Sequence, residues 1–586
     1  MTKRKKERKA QSFLQGAVVL GASMVIVKIM GMIYKILLSN MYGGVGTGLF
    51  NSAYALYNPL FTLSTAGFPI AISRMVSESV TKKRFRDVKQ IHRLSVPIFV
   101  VCGCICFLAM VLGSFVYVKI INADNAIFAL LCLSPTIFFG CLMSIYRGYF
   151  EGMRNMVPTA ISEIMEATCK LFLGFTASFV TMQLCLNSYE STGYVLGTKC
   201  NSMTEAESVA IPIAIGAAIT GISLGSFFGF LFLFIRYKRG GDGITKEELR
   251  NSPPPQKPGT TIRTMVRTAI PIGLGSIVMS LADMIDSTLV QVRINNIMET
   301  NPQALLNVYG SLIPDEIYYA NETHTYLYGC YGIALTLMML VTAVTQVFGT
   351  TALPSVTAAW TSGNKAQLKK SMETVIRVTV LVTIPSGVGM SVLAEPLLSL
   401  IYSGSSVANE VEIGSKVLAV MGISVIFIAT STPLCSMLQA VGRMDIPLKL
   451  FTIGMVMKII VNYILVGIPE INIQGANVGS IVCYSFVSVA AMFFLCRETK
   501  IIPNFMSVLV KPLMAAIICG VAAYFSEMLY DVFFKQNIAT ILAVITAVVV
   551  YIVFLFILKA FKREDILQMP KGNKILKILE KHKLIG

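Results

Sequence analysis

Metal-binding and nucleotide-binding signatures are missing from this chain, and charge is scarce in it. Only three histidines occur in 586 residues (His92, His324 and His582), and their spacing fits no metal-ligand pattern. The thirteen cysteines form no metal-type cluster in a soluble segment. Most of them, such as Cys102, Cys104, Cys106 and Cys132, lie in apolar blocks and act as small hydrophobes. The glycine run YGGVGTG (Gly43, Gly44, Gly46, Gly48) follows no strand and lacks the Gly-Lys-Ser/Thr ending of a phosphate loop. It reads as a tight turn, and with no nucleotide-binding domain a single-chain ATP-driven pump is excluded. Charged residues make up 14% of the chain, against about 25% for a soluble protein.

What fills the chain instead is apolar sequence, 55% of all positions. It comes in blocks, and a block of about 20 residues crosses a bilayer as a helix. Backbone groups in lipid must be satisfied internally, so the blocks are helices and the fold class is all-α, polytopic, with about 14 spans. They fall near 13–38, 48–76, 90–118, 125–149, 157–184, 208–236 and 263–293, then 325–353, 370–394, 411–440, 445–468, 473–496, 506–529 and 537–560. The basic start, Lys3 to Lys9, precedes a run too long for a signal peptide and reads as the flank of an uncleaved first span.

The net charge of +18 does not signal nucleic acid, because basic residues collect in alternate loops. TKKRFRDVKQIHR after span two and RYKRGGDGITKEELRNSPPPQKPG after span six are basic, whereas Ile294 to His324 holds no Lys or Arg. Both termini are therefore expected in the cytoplasm, and the tail ILKILEKHKLIG reads as a basic amphipathic helix on the inner leaflet. Cys185 and Cys200 share one outer loop and are a candidate pair.

The Pro/Gly linker after six spans invites a search for a repeat. TAGFPIAISR (Pro69) and TTALPSVTAA (Pro354) lie 285 residues apart, and Pro158 with Arg154 matches Pro447 with Arg443 at 289. Six spans is an even number, so the two lobes are parallel, related by an axis along the membrane normal, with a cavity expected between them. The layout is a basic N-terminus (1–12), an N-terminal lobe (13–236), a linker (237–262), a C-terminal lobe (263–496), two additional spans (497–560) and a basic tail (561–586).

Ionisable residues inside spans each cost about 2.5–3.5 kcal/mol at the bilayer centre and so face a cavity or a partner. Lys28 is mid-span, with Lys35 two turns on. Glu163, Glu166 and Lys170 share an arc of roughly 60° on span five. Span seven carries Asp283, Asp286 and Arg293, and span eleven carries Lys458 and Asn462. Two readings stand beside each other. Glu166 with Lys170 suits an i,i+4 structural pair, Lys458 can snorkel, and Asp283 and Asp286 suit either role. Lys28 has no partner on its own helix and suits a cavity. Arg74, Arg147 and Arg154 fit positive-inside placement at span ends, with contact to a phosphate at the inner mouth as the other reading.

The order of segments then carries a resemblance. VKIMGMIYKILLSNMYGGVGTGLF followed by LSTAGFPIAISRMVSES, with PTAISEIMEATCK and IPLKLFTIGMVMKIIVNYILVG, resembles the flippases of the multidrug/oligosaccharidyl-lipid/polysaccharide exporter superfamily. The match is to the polysaccharide-biosynthesis group that includes stage V sporulation protein B and MurJ-like relatives, over about residues 12–560. It implies an undecaprenyl-diphosphate saccharide, lipid II or a relative, moved from the inner to the outer leaflet of the bacterial cytoplasmic membrane by alternating access. It also implies a cationic cavity with arginines in spans one, two and eight. Here Lys28 stands in span one, while LFTLST and YGIALTLMMLVTAVTQVFG are uncharged. The two additional spans are expected to form a groove for the lipid tail.

On this reading Lys28, Lys35 and Arg74 meet the diphosphate, Asn51 and Asn58 meet sugar hydroxyls, and no cofactor or metal is needed. Glu163, Glu166, Lys170, Asp283, Asp286, Arg293, Lys458 and Asn462 line the cavity or hold a coupling Na⁺ or H⁺, with the membrane potential as the other driving force. Expected partners are the lipid-linked sugar, membrane lipids and cell-wall synthesis proteins. The rivals are a cation-coupled multidrug exporter, which needs an acidic cavity, and a membrane glycosyltransferase or ligase, which needs a basic outer loop that this chain lacks.

Overall fold

The computed structural model of the chain describes residues 13–65, 67–240, 244–402, 404 and 407–559. The basic N-terminus and the tail from 561 lie outside the described residues. The helices group into two compact units, Met1–Asn295 with Pro314–Gly329, and Asn296–Ile313 with Cys330–Gly586.

The first unit contains α1 (Phe13–Thr65), α2 (Phe68–Thr81), α3 (Phe85–Ile120), α4 (Ile127–Gly152), α5 (Val157–Cys169) and α6 (Phe175–Thr192). It continues with α7 (Met203–Gly240), α8 (Lys246–Arg250) and most of α9 (Pro258–Thr300). The second unit takes α10 (Pro302–Tyr309), after which α11 (Asp315–Tyr319) belongs to the first. A long helix, α12 (Thr323–Thr361), starts in the first unit and continues in the second. The rest of the second unit is α13 (Lys365–Val392), α14 (Ala394–Ile401), α15 (Ala408–Ala440), α16 (Asp445–Leu465), α17 (Gln474–Thr499), α18 (Lys511–Phe533) and α19 (Gln536–Ile557).

Twelve helices among the described residues are long and apolar enough to cross a membrane. They match the fourteen expected spans with two differences. Spans one and two run together in α1–α2, and span seven, in α9, falls outside the twelve. Large apolar side chains such as Ile105, Leu112 and Phe115 on α3 and Phe525 and Val532 on α18 are exposed, as lipid contact requires. Residues 263–295, which the repeat reading assigns to the C-terminal lobe, group with the first unit.

A straight 53-residue helix would be roughly 80 Å long, and α1 is not straight. It breaks at Gly43, whose φ of 57° and ψ of −152° lie where only glycine is comfortable. The other glycines of the run do something the sequence did not announce. A Cβ on Gly44 would sit 2.7 Å from the Tyr326 ring, and one on Gly48 2.1 Å from the Thr325 carbonyl oxygen. The run is therefore the surface on which the start of α12 crosses α1. Ser52 Oγ donates to Gln291 Oε1 at 2.8 Å and ties α9 to the same helix.

The linker is folded as well. Thr245 and Glu248 form a capping box on α8. From the start of α3, Arg86 Nε donates to the Leu249 carbonyl at 3.0 Å, Gln90 Nε2 to the Gln256 carbonyl at 2.8 Å, and Asp87 Oδ1 accepts from the Gln256 amide at 2.8 Å. Cys185 and Cys200 are both free thiols, buried together in a small cluster with Val195, Ala206 and Ala210. They pack as apolar groups beneath the ribbon of β1 (Tyr194–Val195) and β2 (Thr198–Lys199) rather than bonding.

The crossing sets a test. Gly48→Val is expected to destabilise the protein by about 2 kcal/mol or more through overpacking, whereas Gly21→Val, with nothing within 4 Å of its Cβ, is not. Equal unfolding midpoints for the two variants in detergent would refute the close crossing.

Candidate functional site

Among the described residues, Glu163 and Glu166 of α5 do not pair with Lys170, which follows that helix. Ser23 Oγ of α1 donates to Glu163 Oε2 at 2.8 Å. One turn on, Glu166 accepts from Arg147 Nη2 of α4 at 3.1 Å and from Ser226 Oγ of α7 at 3.0 Å. Arg147 Nε also donates to the buried Ser162 hydroxyl at 3.0 Å. The expected Glu166–Lys170 pair is thus replaced. Glu166 joins three helices, and Arg147, read from sequence as a span-end charge, is its half-buried partner.

Lys170 turns elsewhere because the helix changes there. A π-helical turn, Lys170–Gly174, separates α5 from α6, a feature common at functional sites. Its last residue packs against α7 so closely that a Cβ on Gly174 would lie 2.6 Å from the Ala218 carbonyl oxygen. Tyr34 Oη donates to that same carbonyl at 2.8 Å, fixing α1 alongside. Lys170 Nζ donates to Tyr54 Oη at 3.2 Å and stands 5.0–5.7 Å from the ring centroids of Tyr34, Phe50 and Tyr54.

Lys35 reaches the same place from α1. Its Nζ donates to Asn51 Oδ1 at 3.0 Å and lies 5.7 Å from the centroid of the Phe50 ring that Lys170 also faces. The two ammonium groups are within electrostatic reach of each other. Among the described residues no carboxylate lies within ion-pair distance of either. The buried Nδ2 of Asn51 has no hydrogen-bond partner among the described residues, which leaves one more donor beside them. This site can hold a compact, multi-oxygen anion.

The other sequence candidates are spread out. Lys28, Asn58, Arg74 and Asp283 are exposed, whereas Asp286, one turn beyond Asp283 on α9, is buried, with Arg293 half-buried two turns on. Lys458 and Asn462 are buried in α16 of the second unit. Gly479 of α17 makes the room there, since a Cβ on it would meet Asn462 Oδ1 at 1.9 Å.

Sequence reading passed over Tyr34, Tyr54, Ser23 and Ser226, which carry no charge, and it gave Arg147 no protein partner. It also missed Glu373 and Arg377 on α13, although an i,i+4 acid–base pair inside an apolar block was visible. Arg377 is 1% exposed, with Nη2 3.9 Å from Glu373 Oε2. Glu373 Oε1 accepts the Asn504 amide at 3.1 Å, just before the turn into α18.

With this geometry in hand, likeness to known proteins is informative. Residues 13–298 match the polysaccharide biosynthesis protein family, and residues 320–560 match the lipid II flippase MurJ family. The chain is 22% identical to lipid II flippase MurJ of Bacillus subtilis (strain 168) over 83% of its own length and 82% of that protein. It is 21% identical to stage V sporulation protein B of the same organism, over 97% and 99%. A solved lipid II flippase MurJ in an inward closed conformation superposes with a TM-score of 0.59 at 14% identity, covering 92% of this chain and 98% of that one. The fold is that of a multi-pass bacterial membrane transporter. The chain is thus homologous to lipid II flippase MurJ and to stage V sporulation protein B of Bacillus subtilis, with one family model matching each part of it.

The buried pair of α13 can be tested directly. Breaking such a pair costs about 3–5 kcal/mol, whereas replacing both members with apolar residues costs far less. Arg377→Met should therefore lower the unfolding midpoint in detergent more than Glu373→Leu/Arg377→Met does. The reverse order would show that the pair is not an interdependent unit.

Proposed function

We propose that this protein moves an undecaprenyl-diphosphate-linked saccharide, lipid II or a related envelope precursor, from the inner to the outer leaflet by alternating access. The observation that carries the reading is the pair of ammonium groups, Lys35 and Lys170, held on aromatic faces with no carboxylate among the described residues in ion-pair contact with either. A diphosphate headgroup cannot cross hydrocarbon unaided, and two cations with a spare amide donor suit its oxygens. The prenyl tail stays in lipid throughout.

The family-model matches and the relatives support the same substrate class, because they are named for lipid II and for polysaccharide synthesis. Both termini lie in the cytoplasm on this reading, in keeping with the basic loops. The membrane potential then favours outward movement of an anion by about 2.3 kcal/mol per charge per 100 mV, and Na⁺ or H⁺ at Asp283, Asp286 or Glu163 is the other source of drive. Cell-wall synthesis proteins on the outer face consume the delivered precursor. A cation-coupled drug exporter needs an acidic cavity, whereas here Glu166 is neutralised by Arg147.

The test is complementation of a bacterium depleted of its lipid II flippase. Wild type should restore growth, and Lys35→Ala and Lys170→Ala at matched expression should not. Rescue by all three would remove the two lysines from the mechanism. Well-inserted wild type that fails to rescue would rule out lipid II, and drug resistance conferred instead would favour the exporter.

A further inference from the structure

Glu166 and Lys170 stand at i and i+4, the spacing at which a carboxylate and an ammonium on one helix meet. They are within electrostatic reach of each other, yet the carboxylate is fully engaged by Arg147 and Ser226. Arg147 is itself aligned by Ser162, which is 0% exposed. The guanidinium comes from a different helix, α4, and takes no part in the ring cluster around Lys170. Its effect there is electrostatic, because it occupies the carboxylate that would otherwise claim the lysine.

We infer that Arg147 is a positioning residue for the anion site: by holding Glu166 it keeps Lys170 available to substrate phosphate. This rests on the proposed binding of a diphosphate at Lys35 and Lys170. It adds the statement that substrate affinity is set by a competition between two cations for one carboxylate. When Arg147 is removed, Glu166 can swing to Lys170 and the site loses a positive charge without any change to a group that touches substrate. When the carboxylate is removed as well, the competition ends and the charge returns. A residue that only braced α4 against α5 would not behave this way, since deleting its second partner would not restore what deleting the first had lost.

The experiment measures binding of farnesyl diphosphate, a short prenyl diphosphate, to the detergent-solubilised full chain by equilibrium dialysis. Folding of each variant is checked by size-exclusion chromatography. Arg147→Met should weaken binding on the order of tenfold, the size of one partly screened charge contact. Arg147→Met/Glu166→Gln should return to within about threefold of wild type, and Arg147→Lys should stay near wild type. Arg147→Met that binds as wild type does, or a double variant that stays as weak as the single, overturns the inference. Should Arg147→Met fail to fold, Glu166→Gln alone decides, because the inference requires affinity equal to or above wild type and a tenfold loss refutes it. Wild type that binds no farnesyl diphosphate, or binds it undiminished in Lys170→Met, overturns the diphosphate site and this inference with it. Loss in Lys170→Met without loss in Arg147→Met overturns the inference alone.

Discussion

A charged side chain inside an apolar helix must be neutralised, solvated or given a ligand, and this constraint organises the first unit. Glu166 is where it acts most strongly. One carboxylate gathers Arg147 from α4 and Ser226 from α7 while standing on α5, so three helices are registered by a single group. Hydrogen bonds to ionised groups are worth about 1.5–3 kcal/mol, and an unmet buried charge costs more. The contact therefore specifies an arrangement as much as it stabilises one.

The site beside it depends on close backbone approach. Tyr34 and Gly174 both meet the Ala218 carbonyl, and Gly221 of α7 lies so near Gly174 that a Cβ would come within 2.3 Å of it. That contact holds α1, the π turn and α7 together, and the turn in turn directs Lys170 toward Tyr54. Farther along α1 the glycine run lets α12 cross. Small residues at helix crossings are the usual device for packing in lipid, where no hydrophobic force draws helices together. In this chain they also decide where two lysines end up.

Much of this was legible in the sequence, and the limits were physical. Block length and loop charge gave the helices because the bilayer sets both. Lys35, Glu163, Glu166 and Lys170 stood out because ionisable residues in apolar blocks are expensive. What could not be read was which partner each would choose. An i,i+4 rule suggested Lys170 for Glu166, and a tertiary partner from α4 displaced it, since a local spacing rule carries no information about the facing helix. The glycine run read as a turn, and the chain does break at Gly43; the crossing at Gly44 and Gly48 stayed hidden because glycine marks both turns and crossings. Tyr34 and Tyr54 were invisible for a plainer reason: a neutral tyrosine in an apolar block carries no anomaly to notice. The grouping of α9 with the first unit was equally hidden, because it rests on contacts such as Ser52 with Gln291, 239 residues apart.

The way the two lysines are held matters for a transporter, which must release what it binds. A carboxylate partner would hold an ammonium firmly and neutralise it. An aromatic face holds it by about 0.5–2 kcal/mol and leaves its charge intact. Lys35 and Lys170 share the Phe50 ring at 5.7 Å each, so an incoming anion can draw both away at small cost, and on its departure the rings receive them again. Their mutual repulsion, with no carboxylate among the described residues in ion-pair contact with either, favours occupancy by an anion over an empty site. Weak holding and strong charge together suit the proposed diphosphate site, which would attract its ligand without trapping it, as movement through a membrane demands of each binding step.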